Sequence, residues 1–449
     1  MKMIYGINDK PKFPQLIVFA LQQLLAIMAA TLVVPVIIGN GMQPAAALFG
    51  AGIGTLVYQL FTKFKSPVFL GSSFAFLGSM GAAFAGAATV ALGYLGLIIG
   101  AVFAGLVYVV IALIVKFVGV GWIEKLMPPV VIGPTVAIIG LSLAGNAIGD
   151  LQSTKVVDEK NVVLTSPYVA ILCGLVTLAV TMLCSTYGKK MMKLIPFVLG
   201  ILAGYVVAAI FTVIGIATGN DALRVIDFSI FASINSVVAL PEFTFLTAAK
   251  GITDFDISYL ATVAVAYIPV AFVVFAEHIA DHKNLSTIIE QDLLKEPGLH
   301  RTLLGDGVGS MAGAVFGGCP NTTYGESVGC VAITRNCSVV TITAAAVGAI
   351  LISFLTPFVV FVNSIPSCIM GGVCMALYGF IAVSGLKMIQ KVDLEKNRNL
   401  FVVSVILIAG IGGLSVSFGK VSLTSIACAL ILGILANVML SKEKDEVAE

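Results

Sequence analysis

Glu277 and Glu326 are the residues best placed to do chemistry, because each lies in a stretch otherwise apolar or small enough to sit inside a membrane. A charge at the centre of a bilayer costs about 2.5–3.5 kcal/mol even on lenient insertion scales, so an acid retained there marks a pathway. Asp281 follows Glu277 by four residues and shares its helix face. Asp306 falls near the start of a later apolar stretch. Glu277, Asp281 and Glu326 have no intramembrane Lys or Arg among them. Converging, they would repel one another and be poorly solvated, which favours a proton held at the site. The expected chemistry is hydrogen bonding to a neutral ligand combined with proton binding. His278 and His282 are also one turn apart, on a face rotated away from Glu277, and read as interfacial or packing histidines. No further His or Cys shows metal-ligand spacing, so no metal and no cofactor beyond the coupling proton is expected.

The elements that must carry these acids follow from composition. Of the 449 residues 59% are hydrophobic and 11% charged, whereas a soluble domain carries about 25% charge. A surface this apolar needs lipid as its solvent. The net charge of +2 comes without a basic stripe, which excludes a nucleic-acid partner. Eight cysteines form no CxxC pair and read as buried free thiols. With no nucleophile or metal cluster, an enzyme is not expected. The polar start runs into an apolar stretch of full spanning length, so no cleavable signal is expected either.

A ruler of about 20 apolar residues per span gives fourteen spans between residues 14 and 440. Three of them (67–87, 303–317 and 319–334) are short or rich in small polar residues, and the last two fall at 399–419 and 421–440. With the N-terminus inside, twenty of the 25 Lys and Arg lie on the inner side. Lys155, Lys160, Arg224, Lys250 and Lys420 are left outside, as the positive-inside rule requires. The expected fold is an all-α polytopic membrane protein of the cell membrane, with both termini cytoplasmic. Seven spans precede the apolar loop 216–256 and seven follow it, and an odd number per half sets the halves inverted. The loop itself has no role legible in its residues.

The two halves repeat two features. Gln22-Gln23 in the first span matches Glu277-His278 in the eighth. The run Gly71-Ser72-Ser73-Phe74-Ala75-Phe76 in the third matches Pro320-Asn321-Thr322-Thr323-Tyr324-Gly325-Glu326 in the tenth. Ser, Thr, Asn and Gly are poor helix formers, and Pro320 removes a backbone donor. Extended backbone at membrane depth survives only where protein buries it or it lines a cavity. The third and tenth spans are therefore expected to break into an extended piece and a half-helix, meeting at mid-membrane.

The run from Pro320 to Glu326, continued through Ser327 to Arg335, resembles the signature of the nucleobase–ascorbate transporters, and within them the bacterial uracil permeases. Leu21-Gln22-Gln23, Leu70-Gly71-Ser72-Ser73, Ala276-Glu277-His278 and Pro297-Gly298-Leu299-His300-Arg301 support it, as does Met370-Gly371-Gly372 with Tyr378-Gly379. The resemblance implies proton symport of a nucleobase by a homodimer in the bilayer. It also implies a core domain (1–119 and 257–362), a gate domain (120–215 and 363–440), the outer loop 216–256 and a tail, 441–449. It points to Glu277 and Glu326 as the acids that hold the base. Tyr324 and Gly325 would present backbone groups beside it, Phe74 and Ala30 would shape the pocket, and Tyr378 would lie on the gate side. Three positions depart from the resembled pattern. Gln23 replaces His, Ser327 replaces Asn, and Asp281 replaces the His of uracil permeases, as in the purine branch. Xanthine or urate thus stands as the alternative to uracil, and Glu277, Asp281 and Glu326 share the proton-coupling candidacy. An inorganic-anion transporter would want Arg, Lys or unopposed N–H groups, and a channel would want a continuous polar pore.

Overall fold

The computed structural model describes residues 3–158, 161–189, 191–418 and 421–442. The first half runs α1 (Phe13–Ile38), α2 (Pro44–Phe61), β1 (Leu70–Ser72), α3 (Leu77–Ala85), α4 (Val90–Val118), α5 (Gly121–Leu126), α6 (Pro129–Ser142) and α7 (Ala144–Leu151). It continues with β2 (Lys155–Asp158), β3 (Asn161–Leu164), α8 (Pro167–Tyr187), α9 (Met191–Leu194) and α10 (Pro196–Thr218). The short α11 (Thr244–Lys250) precedes the second half, which opens with α12 (Ile257–Ile289), α13 (Leu299–Gly317), β4 (Asn321–Thr323) and α14 (Gly325–Thr334). Then follow α15 (Val339–Ser353), α16 (Thr356–Asn363), α17 (Ser367–Ile389), α18 (Asn397–Ile411), β5 (Val416–Phe418), β6 (Val421–Leu423) and α19 (Ser425–Met439).

Local chemistry sets these boundaries. Proline occupies the first turn of α1, α2, α8 and α10, where its missing N–H costs nothing. Asp256 caps α12 by accepting from the Tyr259 amide at 2.6 Å. Gly219 closes α10 in the left-handed conformation. Among the described residues eight helices are long and apolar enough to cross a membrane, and four more apolar helices are shorter. Their outward side chains, such as Val110, Ile210 and Ile408, are exposed and apolar, as a lipid-facing surface requires.

Counting each broken span as one, the described segments make fourteen in two inverted sets of seven. The third and tenth are the broken ones. Strand β1 pairs antiparallel with β4, in the register Leu70↔Thr323, Gly71↔Thr322 and Ser72↔Asn321. A 3-10 turn (Phe74–Phe76) and α3 continue from β1, and α14 continues from β4. The helices sort into two packing groups. In one, α13 packs on α2 and α4, α15 on α2 and α1, and α12 on α4. In the other, α17 packs on α6, α7 and α8, α10 on α8, and α18 on α19 and α6.

Four sequence expectations need correction. The spans 399–419 and 421–440 shorten to α18 and α19, because residues 412–418 and 421–424 leave the helix and β5 pairs with β6. Gly412, Gly413, Ser415 and Ser417 disfavour helix there, while Val416 and Phe418 alternate as a strand does. Helix α12 extends to Ile289 rather than 280, so Asp281 is interior to it and not at its inner end. Helix α13 starts at Leu299 rather than 303, which places Asp306 two turns in and buried. The loop 216–256 takes a definite place. Phe243 packs against Phe49 at 4.8 Å and Phe316 at 5.6 Å between ring centroids, and Ala239 N donates to Phe354 O at 3.0 Å. This segment therefore covers the ends of α2, α13 and α15. Lys160, Lys420 and most of the tail 441–449 lie outside the described residues.

Candidate functional site

The β1–β4 pair sits at the crossing of α2 and α13, where small residues let the backbones approach. Asn321 Nδ2 donates to the carbonyl of Gly50 on α2 at 3.1 Å. A side chain at Gly313 would strike that asparagine, so Gly313 has no room for a Cβ. This anchor holds the start of β4, four residues before α14 begins, against α2. Glu326 lands in the first turn of α14, where the helix dipole favours a carboxylate.

Glu326 and its neighbour Gly325 line a cavity of about 320 Å³ between the two packing groups. From α12 come Glu277, Ala280 and Asp281, from α1 Ala26, and from the rest of α14 Gly329, Cys330 and Ile333. The facing wall is Val136, Lys193, Leu194, Pro196, Phe197, Phe380, Ile381, Ser384 and Met388. Three carboxyl groups thus converge on one cavity, each half-buried. Asp281 accepts from the Thr323 hydroxyl at 2.8 Å, which ties α12 to β4. The cavity reaches the ends of α14 and α17, where Ile333, Met388 and Lys193 stand.

Four other expected residues lie deeper. Phe74 and Tyr378 meet edge to face, with ring centroids 5.8 Å apart, one from each packing group. Tyr378 is further from the C-terminal end of α17 than the cavity-lining Phe380, so this contact lies beyond the cavity lining. The Tyr324 hydroxyl donates to Ser72 O at 2.8 Å, across the two broken spans. Ala30 is buried on α1. These four do not line the open cavity.

The two histidines hold the back of α12. His278 Nε2 lies 3.0 Å from Thr302 Oγ1 and its Nδ1 2.7 Å from Asp306 Oδ2. Thr302 spends its own proton on Leu299 O at 3.1 Å, so it accepts from Nε2, and the 2.7 Å contact needs one more proton shared by His278 and Asp306. His282 binds the Tyr58 hydroxyl at 2.7 Å and sits 2.9 Å from His278 O. Both are fully buried and polar-bonded, which fits the packing half of the expectation and not an interfacial place. We predict that His278→Ala costs about 1–3 kcal/mol, the penalty of an unsatisfied buried carboxyl. A thermal midpoint in detergent that matches the parent protein would contradict this.

Sequence reasoning missed Lys193, Phe380, Ser384 and the contact of Gln23 with Ser327. A basic residue two positions before Ile195-Pro196 is a visible signal for a cavity rim, but only packing shows which cavity. Polar Ser384 within α17 was the other hint.

Membrane helices in two inverted sets, with a discontinuous span from each meeting beside titratable groups, define a membrane transporter rather than an enzyme. Residues 14–418 match the model of a family described as the permease family. The uracil permease of Bacillus subtilis (strain 168) is 38% identical over the whole of this chain and 98% of its own length. That of Bacillus caldolyticus is 39% identical over 98% of this chain and 95% of its own. The chain belongs to this permease family and is a multi-pass membrane transporter. Its fold is also similar to the transmembrane domain of the cyanobacterium bicarbonate transporter BicA, with a TM-score of 0.62 over 96% of this chain and all of that domain. At 15% identity that likeness concerns the fold alone.

Proposed function

We propose that the chain is a proton-coupled symporter that imports a nucleobase, uracil, by alternating access to the cavity of Glu277, Asp281 and Glu326. The observation that carries this reading is the convergence of three carboxyl groups on a cavity bounded by the start of a half-helix. Uracil has two N–H donors and two carbonyl acceptors. Carboxylates suit the donors, and the opening N–H groups of α14, which lack intrahelical partners, suit the acceptors. An inorganic anion would meet three acids and one rim lysine. The uracil permeases among its relatives support the pyrimidine reading. A cavity of about 320 Å³ also has room for a bicyclic base, so xanthine or urate is the competing substrate.

In this reading residues 1–119 and 257–362 form the core domain and 120–215 with 363–440 the gate. With termini in the cytoplasm, the cavity opens inward, and the Phe74–Tyr378 contact shuts the outer side. Proton binding at Asp281 would lower the negative charge of the site as the base arrives, so that core and gate can close over it while the Glu277 and Glu326 carboxylates accept from the base. The working unit is taken to be a homodimer.

Reconstituted in liposomes, the protein is expected to accumulate labelled uracil under an inward proton gradient and to lose accumulation with a protonophore. Unlabelled uracil should compete better than xanthine or urate. Uptake indifferent to the gradient would overturn the coupling, and stronger competition by purines would move the substrate to that class. Asp281→Asn is expected to retain uracil binding within a few-fold, since Thr323 rather than the base holds its carboxyl. The same variant should lose gradient-driven accumulation. Full accumulation by it would assign the proton to Glu277 or Glu326 instead.

A further inference from the structure

Two positions that depart from the resembled pattern, Gln23 and Ser327, touch each other. Gln23 is buried on α1, and its side-chain amide donates to the hydroxyl oxygen of Ser327 in the first turn of α14. That oxygen also accepts from the Phe69 amide, just before β1, at 3.0 Å. Phe69 is used twice, because its carbonyl accepts from Tyr324 N at 3.3 Å. A hydroxyl oxygen has two lone pairs, and both are occupied. Ser327 therefore joins α1, the approach to β1 and the start of α14 at one buried point, directly after Glu326.

We propose that Gln23 and Ser327 are a positioning pair for substrate recognition, setting where the Glu326 carboxylate and the opening N–H groups of α14 stand in the cavity. Neither side chain lines the cavity, so neither touches the base. Glu326 is carried on a half-helix of ten residues that follows a three-residue strand. Such a segment gets little rigidity from its own hydrogen-bond ladder and must take its position from neighbours. Asn321 holds the strand at one end, and the Gln23–Ser327–Phe69 node holds the helix immediately beyond the acid. Recognition geometry tolerates displacements of only about 0.5 Å, so loosening the node acts on affinity before it acts on folding. The inference rests on Glu326 being an acid that holds the base.

A double-mutant cycle tests it, using Gln23→Met, Ser327→Ala and the double variant in the full chain, each purified and reconstituted. Labelled uracil binding, transport KM, maximal rate and thermal midpoint are measured on all four proteins. Each single variant is expected to raise the dissociation constant and KM about tenfold, the scale of one net hydrogen bond, with maximal rate changed less than twofold. The double variant should match Ser327→Ala rather than the product of the two single effects, because removing the Ser327 oxygen already removes the Gln23 contact along with that of Phe69. Ser327→Thr, which keeps the hydroxyl, should remain within about twofold of the parent. Multiplying effects, unchanged KM, or a loss in maximal rate alone would overturn the proposal. If Gln23→Met does not fold, Ser327→Ala against Ser327→Thr decides, because removing one oxygen leaves the helix packing in place. Failure of the parent protein to bind uracil would instead overturn the substrate reading, and the cycle would then be run with whichever base the parent binds in competition.

Discussion

Glu326→Gln is expected to weaken uracil binding by roughly 10- to 100-fold while the protein stays folded. A hydrogen bond to a charged group is worth about 1.5–3 kcal/mol net, and each 1.4 kcal/mol is a factor of ten. Glutamine preserves shape and volume, so α14 has no reason to move. It loses the carboxylate's second acceptor and places an amide donor where a base N–H must be received. The residue also stands in the first turn of α14, where a negative side chain is stabilised by the dipole, so the variant loses that complement too. Equilibrium binding of labelled uracil to purified protein, with the thermal midpoint as a folding control, reads both effects. An unchanged dissociation constant would remove Glu326 from the site. Glu277→Gln should behave alike, since Glu277 faces the same cavity from α12.

The second large effect is expected at a residue far from any ligand. Gly50→Val should destabilise the protein by about 1–3 kcal/mol, the usual cost of forcing extra methyl groups into a packed contact. A Cβ at Gly50 would meet the carbonyl oxygen of Gly313 on α13, and it would lie 3.1 Å from Gly317 N. The carbonyl of Gly50 is also the acceptor for Asn321. Pushing α2 off α13 therefore drags the anchor of β4, and uracil binding should fall together with stability. Thermal unfolding in detergent and binding on the folded fraction would show the two losses. A stable variant that binds normally would mean the α2–α13 crossing does not position the site.

Much of this architecture was legible because a bilayer is a severe solvent. Backbone polar groups in lipid must be satisfied within the segment, so spans can be measured with one ruler, and breaks in it stand out. The poor helix formers of residues 70–76 and 320–326 marked both broken spans, and those spans do pair. The ruler misled at 399–440, since apolar residues of a short hairpin weigh the same as those of a helix. It also set the end of α12 and the start of α13 wrongly, because a helix that extends past the lipid carries polar residues a hydropathy window ignores.

Glu277, Asp281 and Glu326 were visible as chemistry, and their i, i+4 spacing and placement after a broken run fixed which faces they share. What sequence alone determined is that this chain spans a membrane many times, in two related halves, with unpaired acids inside. Which residues meet was decided only by tertiary structure. Gln23 and Ser327 are 304 positions apart, Lys193 reaches the rim from the opposite packing group, and Asp306 completes His278 from a different helix. No local propensity encodes such contacts. They exist because packing α1 and α12 against the start of α14 brings side chains together that the chain itself keeps far apart, and in a medium without water each buried polar group must take the partner that packing supplies.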